Sequence, residues 1–443
     1  MVSIEERYRY KFAGSIPWHD EGKAVFAGGV THQTRFVSPF AIYIDHAAGA
    51  LKYDVDGNEI IDYVMGSGSL LMGHSPPEIT KAVAAQLSRG THLGGASTHE
   101  VMYANAVKDL MPSIEQIRFT CSGTESTYLA IRLARAYTGK SKLLKLKGHF
   151  HGWHDHVIAD SGQTYGGVNE SVLNDVIVAP VDTKVIRKIL SDNDDIAAVI
   201  VEASGANGGT YPLPNPNFLE DIRDMTLNKS VIFILDEVIT GFRYSKGGAQ
   251  VRWDISPDLT TMAKVMAGGQ PGGAIGGKSE IMQLMAPSDD FEWDMNHRVA
   301  QAGTYNAQPI TAAAGIASLK AVSNGVNHIA DENAKRLKDG INEALARNEV
   351  VGHAYGVSSI VQLSLGVNCN CDREICTLPY DVIHSSMTEE KTNSLRRSML
   401  VNGVEIAMGR KFYVSSVHGK DITDRTLEAF DQSLKDIRSE GII

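Results

Sequence analysis

The chain has 443 residues, 42 of them Lys or Arg and 52 Asp or Glu, for a formal charge of −10, with 43% hydrophobic and 21% charged residues. That is a globular make-up for two or three domains, long enough to bury most of its unfolded surface without disulfides. The acidic balance with no Lys/Arg block excludes the footprint of a nucleic-acid or anionic-membrane binder, and no run of 18 apolar residues exists to cross a bilayer, so small-molecule partners are expected.

In chain order, Met1-Val2-Ser3-Ile4-Glu5-Glu6-Arg7 runs straight into charged residues without the apolar segment of a secretion signal, which predicts a cytoplasmic protein. The first 60 or so residues, including Tyr53-Asp54-Val55-Asp56-Gly57-Asn58, read as hairpin-rich β structure. Between about residues 115 and 280, short apolar runs alternate with amphipathic stretches, the pattern of a largely parallel sheet covered by helices. Ile117 to Thr120 is a predicted strand. Ser122-Gly123-Thr124-Glu125 then reads as a capping box opening a helix with Ala130, Leu133, Ala134 and Tyr137 on one face, stopped by Gly139. Further strands are predicted at 142–147, 176–179, 197–201 and 231–235, the last an unbroken Val-Ile-Phe-Ile-Leu run suited to burial on both faces. Asn217 with Glu220 starts another helix after the loop Pro212-Leu213-Pro214-Asn215-Pro216. After residue 325 the texture changes to helices, with Ala334, Leu337, Ile341, Ala344 and Leu345 on one face and Leu427, Phe430, Leu434 and Ile437 on another. The expected division is 1–60 joining a small domain, 61–325 a large domain, and 326–443 the rest of the small one.

Asp236 ends the apolar run and so should emerge at the carboxyl edge of the sheet, where open α/β folds bind ligands. The alternative for it alone is a structural residue capping a neighbouring loop. Lys264 stands among small and apolar residues with Gly268-Gly269 just beyond; desolvation there would make its amine nucleophilic, though a lone lysine is more often a surface residue. The Ser122-Gly123-Thr124 turn offers amide N–H groups, hydroxyls and a helix dipole to an anion, or is simply a cap. In combination these are the three parts needed to hold pyridoxal phosphate: an anion site, a carboxylate for the ring nitrogen and an amine for the Schiff base.

The sequence resembles the class III aminotransferases of the fold-type I pyridoxal phosphate enzymes, and among them glutamate-1-semialdehyde 2,1-aminomutase and its aminotransferase relatives. The resemblance rests on Ser122-Gly123-Thr124-Glu125, His149-Phe150-His151-Gly152, Leu235-Asp236-Glu237-Val238-Ile239-Thr240-Gly241-Phe242-Arg243, Lys264 with Gly268-Gly269, and Gly303-Thr304-Tyr305-Asn306. It implies a large domain with a mostly parallel seven-stranded sheet and a smaller α+β domain built from both termini. It also implies Lys264 as the Schiff-base lysine and proton carrier, Asp236 at the ring nitrogen, and Ser122, Gly123 and Thr124 at the phosphate. Thr304 would reach the phosphate from a partner subunit, making the active sites shared across a homodimer. Phe150 would stack on the ring where the aminomutases usually have Tyr, and Glu202 and Asn207 would lie near the ring hydroxyl, with Ala203 in place of the Pro that commonly follows.

The substrate-facing positions depart further. Arg35 falls where the aminomutases hold the substrate carboxylate. Ser67 replaces their Trp, and Ser161-Gly162-Gln163-Thr164-Tyr165 is followed by nothing like their gating loop. Arg410, in Glu405-Ile406-Ala407-Met408-Gly409-Arg410-Lys411-Phe412-Tyr413, is similar to the arginine with which β-amino-acid aminotransferases grip a carboxylate. The alternative for either arginine is a solvated surface residue. Neither His149, His151, His154 and His156 nor Cys369, Cys371 and Cys376 with His384, in a region with Asp372 and Glu374, is expected to hold a metal, since no paired C-x-x-C accompanies the cysteines. Gly139-Lys140-Ser141 and Gly66-Ser67-Gly68 fail as a P-loop and a dinucleotide fingerprint because Ala134 and Leu71 stand where glycine is needed. The expected activity is ping-pong transamination between an amine or amino acid and a keto acid or aldehyde. The alternatives are glutamate-1-semialdehyde aminomutation, a non-catalytic pyridoxal phosphate-binding protein, and a metal hydrolase using the histidines.

Overall fold

The computed structural model describes residues 2–443 apart from 216, 372 and 373. The chain forms two compact units, Met1–Pro76 with Val326–Ile443, and Pro77–Gly325. The proline that closes the predicted 212–216 loop lies outside the described residues.

The first unit opens with helices Ile4–Lys11 and Ser15–Val25, not with hairpins. The reason is local. The Ser3 hydroxyl accepts from the Glu6 N–H, the Glu6 carboxylate accepts from the Ser3 N–H, and Tyr8 and Phe12, one turn apart, bury against Val37, Phe40, Ile60 and Leu400. Hairpin structure begins with β1 (Ile44–Ala48) and β2 (Leu51–Asp54), continued by β3 (Glu59–Asp62). The boundary expected after residue 60 falls inside β3, and residues 61–76 stay with this unit.

The second unit is built on β4 (Gln116–Thr120), β5 (Lys142–Leu146), β6 (Val176–Ala179), β7 (Ile196–Glu202), β8 (Ile232–Asp236), β9 (Leu259–Ala263) and β10 (Gly273–Gly277). They form one seven-stranded sheet in the order β4-β10-β9-β8-β7-β5-β6, parallel except for β10, which runs antiparallel to both neighbours. β7, β8 and β9 are buried along their whole length, as strands covered on both faces must be. Helix Gly123–Thr138 covers one face through Leu129, Ala130 and Leu133, which pack with Ala198, Ile200, Ile234 and Ile275; each buried aliphatic side chain of this size contributes about 1.5–3 kcal/mol. Tyr137, predicted on the same face, is 42% exposed. Gly139, at φ 68°, ends the helix in the left-handed region. β10 is nearly bare of side chains: a Cβ on Gly273 would lie 2.6 Å from the Ser122 carbonyl oxygen, so glycine there lets the start of this helix seat against the sheet.

Returning to the first unit, β11 (Gly352–Tyr355), β12 (Ile360–Leu365) and β14 (Lys411–Tyr413) make an antiparallel sheet, while β13 (Val404–Glu405) pairs in parallel with β3. Helices Val326–Arg347 and Lys420–Ser439 bury the predicted faces, with Leu337, Ile341, Phe430, Leu434 and Ile437 in one core with Leu363 and Phe412. Asp62, the last residue of β3, is buried and paired with Lys52 at 3.2 Å and His74 at 2.8 Å. Among the described residues, no helix is long and apolar enough to cross a membrane.

Candidate active site

The carboxyl ends of β5, β7, β8 and β9 open on one cavity of about 130 Å³ in the second unit. Ligands collect at this edge in open α/β sheets because the strands end level there and the following loops part. The register sets Glu202, the last residue of β7, beside Asp236, the last of β8, and Asp236 beside Thr261 of β9. Lys264 follows β9 directly. Its backbone is held at φ +54°, a left-handed conformation that an L-residue adopts only under constraint, and its side chain enters the cavity.

Two carboxylates and one amine therefore share a confined space. Asp236 accepts from the His151 Nδ1–H at 2.7 Å and from the Val238 N–H at 3.0 Å. Burial still pushes its carboxyl up to about 6. Glu202 accepts from the backbone N–H groups of Phe150, Asn207 and Gly208 at 2.7–2.9 Å, yet burial, with the charge of Asp236 adding to it, pushes it up to about 7. His149 and His151 are held well below the usual imidazole range by burial, so both are neutral. Neutral His151 donates through Nδ1, which leaves its Nε2 as a buried lone pair without a partner. Burial also lowers the Lys264 amine, aided by Arg243 and opposed by Asp236 and Glu202. Lys264 is the one cationic side chain among the described residues lining the cavity, and its Nζ meets no hydrogen-bond partner among them.

Another part of the lining is an anion cradle. Helix Gly123–Thr138 begins there, its first amide N–H groups, on Gly123 and Thr124, lacking intrahelical acceptors. Gly152, at φ +111°, passes so close that a Cβ would lie 2.8 Å from the Thr124 hydroxyl. The Lys264 charge does not overcome the burial of Asp236, and the cavity offers an amine without a hydrogen-bond partner and a bare-backbone anion site. A phosphorylated heteroaromatic aldehyde with a basic ring nitrogen fits all three.

The structure brings together Gly123, Thr124, Phe150, Glu202, Asp236 and Lys264 as lining residues. Ser122 does not line the cavity; its hydroxyl accepts from the Glu125 N–H, and Glu125 turns back to the Cys121 N–H. Asn207 approaches through its backbone, in contact with Glu202. Thr304 also lies outside the lining, its carbonyl accepting from His92 Nε2 at 2.7 Å. The lining includes His151, Gly152, Ser204, Thr127 and Thr240, which sequence reasoning passes over. Only the His-Phe-His-Gly motif carries a signal for the first two. Arg35, Ser67 and Arg410 belong to the first unit. Arg35 is exposed, with Nη1 bonded to the Thr31 hydroxyl, and Ser67 is exposed at φ 59°. Arg410 is buried at 8% exposure, with Nη2 3.4 Å from the Ser364 hydroxyl, so the solvated-surface alternative fails for it.

Comparison with known proteins fits this geometry. The sequence pattern described as aminotransferase class-III matches residues 33–377. The chain belongs to the class III aminotransferases. A relative, glutamate-1-semialdehyde 2,1-aminomutase from Ignicoccus hospitalis, is 38% identical over 93% of this chain and 97% of its own. Among solved structures, an omega-transaminase from Sphaerobacter thermophilus aligns with TM-score 0.88 and 28% identity over 97% of this chain and 99% of that one. A transaminase described with PLP bound aligns with TM-score 0.87 and 27% identity over 98% and 99%. Family and neighbours together support pyridoxal phosphate as the cofactor.

Proposed function

We propose that this chain is a pyridoxal phosphate-dependent aminotransferase, moving an amino group between an amine or amino acid and a keto acid or aldehyde in two half-reactions. The observation that carries the reading is a Lys264 amine free of hydrogen bonds and a buried Asp236 lining one cavity. When bound, pyridoxal phosphate supplies an electron-withdrawing ring that accepts the electron pair released when a Cα–H bond breaks. The residues do the rest. Asp236, fixed by His151 and the Val238 N–H, keeps a proton on the ring nitrogen. Lys264, its amine lowered by burial, takes a proton from one carbon and returns it to another. Gly123 and Thr124 hold the phosphate by backbone N–H groups, with Ser122 shaping the turn, Thr304 contributing from a partner subunit, and Phe150 covering a ring face. Glu202, positioned by Asn207 and Gly208, faces the ring hydroxyl. Arg35, Ser67 and Arg410 face the substrate, the two arginines selecting a carboxylate. The working form is a homodimer with shared active sites, in the cytoplasm.

Hydride reduction of the yellow protein followed by proteolysis tests the core of this. The cofactor should remain attached to the peptide containing Lys264; a tag elsewhere, or none, overturns it. A second reading, glutamate-1-semialdehyde aminomutation, is favoured by the 38% and 36% identity to curated aminomutases from Ignicoccus hospitalis and Methanococcus maripaludis. Ser67, in place of a bulky aromatic, supports release of the intermediate diamine instead. Incubation with an amino donor and pyruvate separates the two, since only net transfer yields alanine, whereas an aminomutase turns over glutamate-1-semialdehyde with no second substrate.

A further inference from the structure

In the first unit, far along the chain from the candidate active-site motifs, four soft donors converge. The ligand atoms of His353, Cys369, Cys371 and Cys376 all lie within 4.8 Å of one another. His353 sits on β11, and the three cysteines come from the segment between β12 and helix Tyr380–Ser386. We infer that these four residues form a closed zinc site that fastens this segment to β11. Sequence spacing predicts no metal here and offers His384 as a fourth donor. His384 instead stacks on Tyr380, and His353, 16 residues before Cys369, takes the fourth place because β11 brings it there. Asp372 lies outside the described residues.

Four observations support the assignment. Three thiols and an imidazole make a tetrahedral donor set that suits zinc, and four protein ligands leave no open position, as in structural sites. With zinc–sulfur bonds of about 2.3 Å, tetrahedral sulfurs stand about 3.8 Å apart, so donors already within 4.8 Å need close by only about 1 Å. The imidazole is already turned for ligation. His353 Nδ1 faces the Val367 carbonyl oxygen at 3.4 Å, which sets the proton on Nδ1 and turns Nε2 toward the thiols, 3.1 Å from Cys376 Sγ. The segment itself has little else to order it. Among the described residues of 366–379 there is no helix or strand, and Cys376 is the one buried side chain. A chain that buries so little apolar surface needs another source of order, which metal ligation supplies.

The test uses the cofactor-loaded protein, purified reduced and dialysed against a weak chelator. Metal analysis should find about one zinc per chain, and under native conditions only Cys121 should react with a thiol reagent until the protein is denatured. Replacement of zinc by cobalt(II) should give ligand-field bands in the red, clear of the cofactor's absorption, with a thiolate charge-transfer band. Cys369→Ser and Cys371→Ser, both at partly exposed positions, should reduce retained zinc below about one tenth per chain while the yellow cofactor band persists, and Cys121→Ala should retain all of it. Zinc below about one tenth per chain in the unaltered protein overturns the inference, as does free reaction of the three loop thiols, a disulfide among them, iron or copper in place of zinc, or zinc that survives the Cys369 and Cys371 substitutions.

Discussion

Asp236→Asn should stabilise the cofactor-free protein while disabling it. Burial raises the Asp236 carboxyl from its ordinary 3.8 to about 6, even with the Lys264 charge and the Val238 N–H drawing it down. At about 1.36 kcal/mol per pH unit, ionising it inside the fold costs about 3 kcal/mol at pH 8. The sign follows from proton binding: between pH 4 and 6 the folded state holds a proton that the unfolded chain has lost, so stability falls as pH rises through this window and stays lower above it. Asparagine removes the charge and keeps the shape: its Oδ1 accepts from the Val238 N–H, and neutral His151, with its proton moved to the unpartnered Nε2, accepts from the amide N–H through Nδ1. The variant should therefore gain about 3 kcal/mol at pH 8, about half that at pH 5 and nothing below pH 4. For a unit of 249 residues this is about 6–12 °C in the midpoint of thermal unfolding, read by circular dichroism on stripped protein at pH 8 and pH 5. Transamination should fall by more than about 100-fold, since the amide cannot keep the ring nitrogen protonated. A variant no more stable than the unaltered protein at pH 8, or one whose advantage grows as pH falls, refutes the account of Asp236 as a carboxylate awaiting a cation.

Gly152→Ala would set a Cβ 2.8 Å from the Thr124 hydroxyl at a backbone φ of +111°, so cofactor affinity, titrated by absorbance, should weaken at least about tenfold, and an unchanged affinity removes Gly152 from the anion cradle. Asp62→Asn should destabilise the first unit by about 1–3 kcal/mol in urea unfolding, because Lys52 would lose its fully buried carboxylate partner and keep only the half-buried Glu405. Burial pushes the Asp62 carboxyl up, but Lys52 and His74 outweigh it and hold it below the ordinary range, so its contribution is present above that range and is lost as pH falls; the variant should lack this acid limb. Arg410→Ala should lower kcat/KM for amines and keto acids bearing a carboxylate by about 100-fold, with Arg35→Ala acting in the same direction, and leave simple amines little affected; equal losses on both classes in a substrate panel refute carboxylate selection.

Much of the second unit is legible in the sequence because its signals are local. The Val231–Leu235 run, the Ser122 turn and the Gly139 stop each fix their element through neighbours a few residues away, and strand order then brings Glu202, Asp236 and Lys264 to one edge. What escapes is non-local or ambiguous. His151 as the partner of Asp236 lies 85 residues from it, and no spacing rule joins them. His353 is brought to the cysteines by strand pairing, which motif spacing cannot represent. The opening helices replace the expected hairpins although Ser3 and Glu6 form a reciprocal cap, because the turn-like Tyr53–Asn58 stretch does not govern the residues before it. Tyr137 follows the helical period but sits in the last turn, beyond Ala134, the last buried residue of the helix.

β10 gives no side chain to the cavity, yet its bare backbone decides how deep the helix start sits. Any substituent at Gly273 would press on the Ser122 carbonyl and the Ser126 hydroxyl and lift the cradle from behind. Retention of the coenzyme is therefore adjustable from the hidden side of the sheet. A selection for tighter or looser holding should return substitutions at this strand as readily as among residues that face the ligand.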